Sequence, residues 1–187
     1  MSRAAERAGR HGTLPLAVVA GAAIAVGAMS MSQRVALADE IFVHQPNLLA
    51  SVLVLQRMGA SLQQMEVLLD ILLVAYQAMK LSGQHWPVIS ESTQERCLQR
   101  LTGRIRFVEG LAAEPLQRAV QDSIDGHGEP HLLAFAFGQL REHDLLAVRT
   151  EAEKYLLLAG LNLVDCIADS APSRPRPKPP RRSRSDR

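Results

Sequence analysis

The sequence predicts an all-α protein, a single helical bundle of about five to six helices with an N-terminal apolar segment and a disordered basic C-terminal tail. Three observations predict it. Of the 187 residues, 47% are hydrophobic but only 4% aromatic, so leucine, alanine and valine must fill the core. No segment alternates with the period of two that a half-buried strand requires. The stretch Ser61–Gly83 reads as a helix closed at both ends, and its apolar surface is too wide for a single seam.

That stretch is the expected centre of the bundle. Ser61 and Gln64 form a capping-box pattern, a hydroxyl for the first free N–H groups and an amide that reaches back. Leu62, Met65, Leu68, Leu69, Leu72, Leu73, Tyr76 and Met79 recur at helical spacing, and Ile71, Val74 and Ala75 widen the face. Gly83 stands where a helix closes in the left-handed conformation.

Charge divides the chain as composition does. Residues 1–30 carry a net +2, residues 31–172 a net −6 and residues 173–187 a net +6. The basic overall balance thus belongs to the tail, while the folded body is acidic. This weighs against nucleic-acid binding by the body itself, which needs clustered cations. The expected organisation is residues 1–38 as a basic and apolar leading segment, 39–171 as the bundle, and 172–187 as a Pro/Arg-rich arm.

In the leading segment, Arg3, Arg7 and Arg10 precede an apolar run from Leu14 to Met29, followed by Ala36-Leu37-Ala38. These are the parts of a signal peptide or membrane anchor, although Arg34 interrupts the would-be cleavage region. The run also falls short of the ~20 apolar residues of a spanning helix. Two other readings stand beside it: a non-native extension before a start at Met29 or Met31, and a core helix. The signal or anchor reading favours inner-membrane association or export, with a membrane as candidate partner through residues 14–29. The non-native extension favours the cytoplasm.

Pro46 opens the next expected helix, Asn47–Met58, which Gly59 closes. The tight turn to Ser61 makes a helical hairpin. Its 55–69 segment has the outline of a helix-turn-helix, but the would-be reading helix, MEVLLDILLVAY, is nearly all apolar. Glu66 and Asp70, one turn apart, are expected to face Arg57 or Lys80.

Residues 82–90 form a loop holding His85 and Trp86; Trp86 covers the end of the bundle or anchors a partner. Ser92 and Glu95 suggest a second capping box, opening a helix over Thr93–Glu109. On it Arg96, Arg100 and Arg104 recur every four residues as one basic stripe. The stripe pairs with neighbouring acids or binds an acidic partner, since guanidinium groups grip carboxylate and phosphate bidentately. Gly103 within that helix marks close packing or a kink.

A short helix follows Glu114-Pro115 to about Ile124. His127, Glu129 and His131 then alternate in a Gly- and Pro-containing turn, which reads as mobile rather than as a metal site. Pro130 fits the start of an apolar helix running to Leu140. Arg141–Asp144 interrupts it, and the last helix is expected over Leu145–Ala168, with Glu151, Glu153 and Lys154 on its wet side.

Cys97 and Cys166, in separate helices with no CxxC spacing, read as buried small hydrophobes. No catalytic triad, phosphate-cradling loop or metal signature is evident, and no cofactor or metal is expected. The functional expectation is a non-catalytic interaction module, an accessory, scaffold or regulatory protein. A protein partner is expected, and an anionic one (nucleic acid, anionic lipid or acidic protein) for the arm. Arg96, Arg100, Arg104, Trp86, Arg181, Arg182 and Arg184 are the candidate contact residues. The alternative is a nucleic-acid-associated regulator using the 55–69 hairpin and the tail.

Overall fold

Ser61 Oγ accepts from the Gln64 backbone N–H at 3.2 Å, and Gln64 Oε1 accepts from the Ser61 N–H at 3.0 Å, which starts the central helix where the sequence places it. The computed structural model describes residues 14–108, 121–122 and 124–172, and all of its regular structure is helical. In chain order the helices are α1 (Leu16–Gly27), α2 (Met31–His44), α3 (Pro46–Leu53), α4 (Leu62–Leu81), α5 (Glu91–Val108), α6 (Pro130–Glu142) and α7 (Glu151–Ser170). A 3-10 turn, Val54–Met58, continues α3.

Helix α4 is the hub. It packs against α1, α2, α3, α6 and α7, and its buried set includes Met65, Val67, Leu68, Ile71, Leu72, Leu73, Val74, Ala75, Ala78 and Met79. A helix apolar on almost every side needs cover on almost every side. Gly83, at φ 65°, and Gly59, at φ 92°, adopt the left-handed conformation that lets the chain turn out of α4 and into it.

Of the three readings of the leading segment, the fold follows the core helix. The apolar run forms α1 and lies on α4, with Leu14, Val19, Ala22 and Val26 buried in the common core. At 12 residues α1 is about 18 Å long, and no described helix is long and apolar enough to cross a membrane. Ala36-Leu37-Ala38, read as a cleavage site, lies inside α2 with Leu37 buried, so the expected boundary at residue 38 falls mid-helix. Ser30 caps α2 through a full capping box with Gln33.

Ion pairs fix α2 on α4. Arg34 pairs with Asp70, and Glu40 accepts from Lys80 Nζ at 2.6 Å and from Tyr76 Oη at 3.2 Å. The expected facing of Asp70 toward Arg57 or Lys80 is thereby corrected, because α2 brings its own cation to that edge. The Lys80 hydrogen bond holds the Glu40 carboxyl below its usual range. Burial, with Glu40 adding to it, pushes the Tyr76 phenol up to about 12.

Two helix starts are also corrected. Helix α5 begins at Glu91, capped by Ser90, whose Oγ accepts from the Thr93 N–H at 3.2 Å, rather than by Ser92. Helix α7 begins at Glu151, not Leu145, because Thr150 and Glu153 form a capping box. Glu153 is accordingly buried, its carboxylate accepting from the N–H groups of Arg149 and Thr150. A Cβ on Gly103 would meet nothing within 4 Å, so close packing does not account for that glycine.

Candidate functional site

The basic stripe of α5 lies against α7. Arg96 and Arg100 donate to the two carboxylate oxygens of Asp169 at 2.7 and 2.8 Å, and Arg104 pairs with Asp165. Asp165 and Asp169 are themselves one turn apart, so two four-residue repeats of opposite sign meet across the helix crossing. Both arginine bonds, Arg96 first, hold the Asp169 carboxyl below the usual carboxylate range. The Asp169 bond raises Arg100. A depressed carboxylate stabilises the fold above its ordinary value, about 3.9 for aspartate. That contribution is lost as pH falls toward the folded value. Asp169→Asn is therefore expected to lower neutral-pH stability by about 1 kcal/mol, the range of half-exposed pairs. The variant should lose less than wild type when melts at pH 7 and pH 3 are compared. Parallel losses in the two proteins would mean the ladder carries no pH dependence.

Beneath the ladder sit Cys97 and Cys166, both fully buried and free. Arg100 Nη2 approaches Cys97 Sγ at 3.0 Å. Burial, with the neighbouring Cys97 adding to it, pushes the Cys166 thiol up. Buried, inaccessible sulfurs are poor nucleophiles, and the pair acts here as packing.

The turn at 127–129, expected to be mobile, is instead a buried polar knot. Glu129 N–H donates to His127 Nδ1 at 3.0 Å, which assigns the ring proton to Nε2. Nε2–H then donates to Asp165 Oδ1 at 2.9 Å. Glu129 is fully buried, and its Oε2 accepts from the Leu14 backbone N–H at 2.9 Å. The knot joins the start of the described chain, the start of α6 and the middle of α7. Among the described residues no three His, Cys, Asp or Glu side chains are grouped to hold a metal ion.

Trp86 packs half-buried on the core and donates from Nε1 to Ser82 Oγ at 3.1 Å. Its loop is stapled by Gln45, a residue not singled out in the sequence. The Gln45 amide donates to Pro87 O at 2.8 Å and accepts from the Ile89 N–H at 2.9 Å.

A trough of about 520 Å³ runs along α5 between α7 and the α3 segment. Its first wall is Asn47, Ala50, Ser51, Val54, Leu55 and Met58, a single stripe running through α3 into the 3-10 turn. Its second wall is Glu91, Gln94, Glu95, Leu98 and Thr102 of α5, and its floor Tyr155, Leu158, Ala159 and Asn162 of α7. Each set follows the three- and four-residue spacing of one helix face. Most polar groups of the walls are occupied locally: Asn47 on Ile89 O, Ser51 on Leu48 O, Thr102 on Leu98 O. Gln94 Nε2 and Asn162 Oδ1 are buried with no hydrogen-bond partner among the described residues. The sequence reading missed this trough, which three separate stripes create only when they converge.

The structure thus brings Arg96, Arg100 and Arg104 together, on internal partners, and places Trp86 apart at the bundle end. Arg181, Arg182 and Arg184 lie outside the described residues. In the 55–69 hairpin, Met65, Val67 and Leu68 face the core, and only Leu62, Gln63 and Glu66 of α4's first turns are exposed. Arg57, in the 3-10 turn, is the one exposed cation of residues 55–69. No family model, curated protein or solved structure matches the chain.

Proposed function

We propose that the chain is a non-catalytic helical interaction module, an accessory, scaffold or regulatory protein whose 173–187 arm reaches an anionic partner. The observation that supports it is the internal pairing of the body's basic stripe. With Arg96, Arg100 and Arg104 held by Asp165 and Asp169, an incoming polyanion would have to displace carboxylates already in place. The arm is the densest run of positive charge in the sequence, with seven basic residues and one aspartate. A Pro/Arg-rich segment without other apolar residues cannot bury enough surface to fold alone, and proline keeps it extended. Charges this exposed are screened over about 8 Å at physiological salt, so folding back onto the acidic body gains little.

The test is backbone NMR of the full chain, titrated separately with duplex DNA, anionic vesicles and polyglutamate. Signals of the arm are expected at random-coil positions in the free protein. A polyanion should shift them, Arg181, Arg182 and Arg184 most, with binding that weakens steeply as salt rises. Which probe moves them at the highest salt identifies the partner class, and a response to DNA alone would favour the nucleic-acid regulator. Dispersed arm signals in the free protein, or no response to any probe, would refute the reading.

A further inference from the structure

We infer that the trough between α3, α5 and α7 is the docking site for an amphipathic helix of a partner protein, apolar along one face and basic along its flank. This deepens the reading of the chain as an interaction module and rests on it. Three observations converge on a helical guest.

The walls and floor are continuous helix faces rather than a closed pocket. Val54, Met58, Leu98 and Tyr155 stand 37–45% exposed along the trough, so large apolar side chains flank an open channel. An open apolar channel of this kind has the form of the grooves in which helices lie. The α5 wall, from Glu91 to Thr102, spans about 16 Å at 1.5 Å per residue. That length matches the i, i+3, i+4, i+7 anchors by which a helix lies in an apolar groove.

Charge selects the flank. Glu91 and Glu95 are the only charged residues of the lining, both are exposed, and neither has an ion pair among the described residues. Arg96, Arg100 and Arg104 pair instead with Asp165 and Asp169. A guest with lysine or arginine beside its apolar stripe is thus complementary, and one with glutamate there is repelled. Gln94 Nε2 and Asn162 Oδ1 of the same lining lack partners among the described residues, which suits a guest carrying one amide or hydroxyl within its stripe.

The experiment uses the full chain and three fluorescent peptides of about 18 residues, some five helical turns. The first carries leucine at i, i+3, i+4 and i+7 with lysine elsewhere. The second keeps the stripe but replaces lysine by glutamate, and the third scrambles the stripe at constant composition. Only the first should bind by anisotropy. Ala159→Phe, which fills the floor, and Leu98→Arg, at an exposed wall position that leaves the fold intact, should each weaken it roughly tenfold or more. Glu91→Lys with Glu95→Lys should move the preference to the glutamate peptide. Equal binding of the scrambled peptide, or no effect of Leu98→Arg in a chain of unchanged melting temperature, would overturn the inference. So would a dimer in sedimentation that Leu98→Arg dissociates, since a second copy would then be the occupant. None of these arms involves residues 173–187, so a silent arm with an active trough, or the reverse, separates this inference from the function proposed above.

Discussion

A chain beginning at Met31 is expected to lose about 3–9 kcal/mol of stability, the cost of returning two or three leucine- or valine-sized side chains of α4 to water. The loss arises on α4 rather than on α1. Removing α1 also removes the conformational entropy of ordering it, which offsets much of what its own burial contributes. The α4 surface it covered has no such offset: the hub stays ordered and one of its faces is bare. Glu129 in addition loses the Leu14 N–H from a fully buried carboxylate. Against the 5–15 kcal/mol of a typical domain, the shortened chain should be marginal, bind a hydrophobic dye and melt broadly. A chain from Met31 with the denaturant midpoint of full length would show that α1 is dispensable and that its place on α4 adds nothing to the fold.

Asp165→Ala is expected to cost about 1–3 kcal/mol, the range for leaving a buried donor without its acceptor. Asp165 is 7% exposed and serves two donors, Arg104 and His127 Nε2–H. Alanine leaves the imidazole N–H unsatisfied in the interior and frees Arg104. Asp165→Asn separates the two roles. Its Oδ1 can still accept from His127, so only the charge facing Arg104 is lost, and about half of the destabilisation should return. Equal denaturant midpoints for the two variants would mean the charge, not the His127 bond, sets the cost. An alanine variant as stable as wild type would remove the knot from the structural account.

The parts of this fold that were legible are those written locally. Helix α4 carries its period, its capping box and Gly83 within one stretch, and every one of those signals agrees. The arginine stripe was visible for the same reason, since spacing by four fixes a face whatever the face meets. Its partners were harder, because Asp165 and Asp169 lie 61 to 73 residues away. The matching four-residue spacing of two acids in a later helix was the available signal. Two errors came from preferring one local pattern over another. Leu145, Leu146 and Val148 suggested an early start to α7, and the Thr150–Glu153 cap overrode them. Ser92 and Glu95 suggested a cap that Ser90 supplies two residues sooner. The destination of α1 was left open, with a core helix as one of three readings. Arginines before an apolar run describe a hydrophobic helix, but hydrophobicity does not state whether lipid or leucine will cover it. The trough is a property of three elements together and has no sequence signal in any one of them.

The bond from the Leu14 N–H to Glu129 joins groups 115 residues apart, and this separates them in time as well. At 5–20 residues per second, ribosomal synthesis delivers Glu129 about 6–23 s after Leu14. Helix α4 itself is complete only at Leu81. Through the first part of that interval the emerging chain presents an apolar segment behind three arginines, with its eventual cover not yet made. During those seconds the segment's apolar face is exposed to water, and only the arrival of α4 gives it the cover it has in the folded protein.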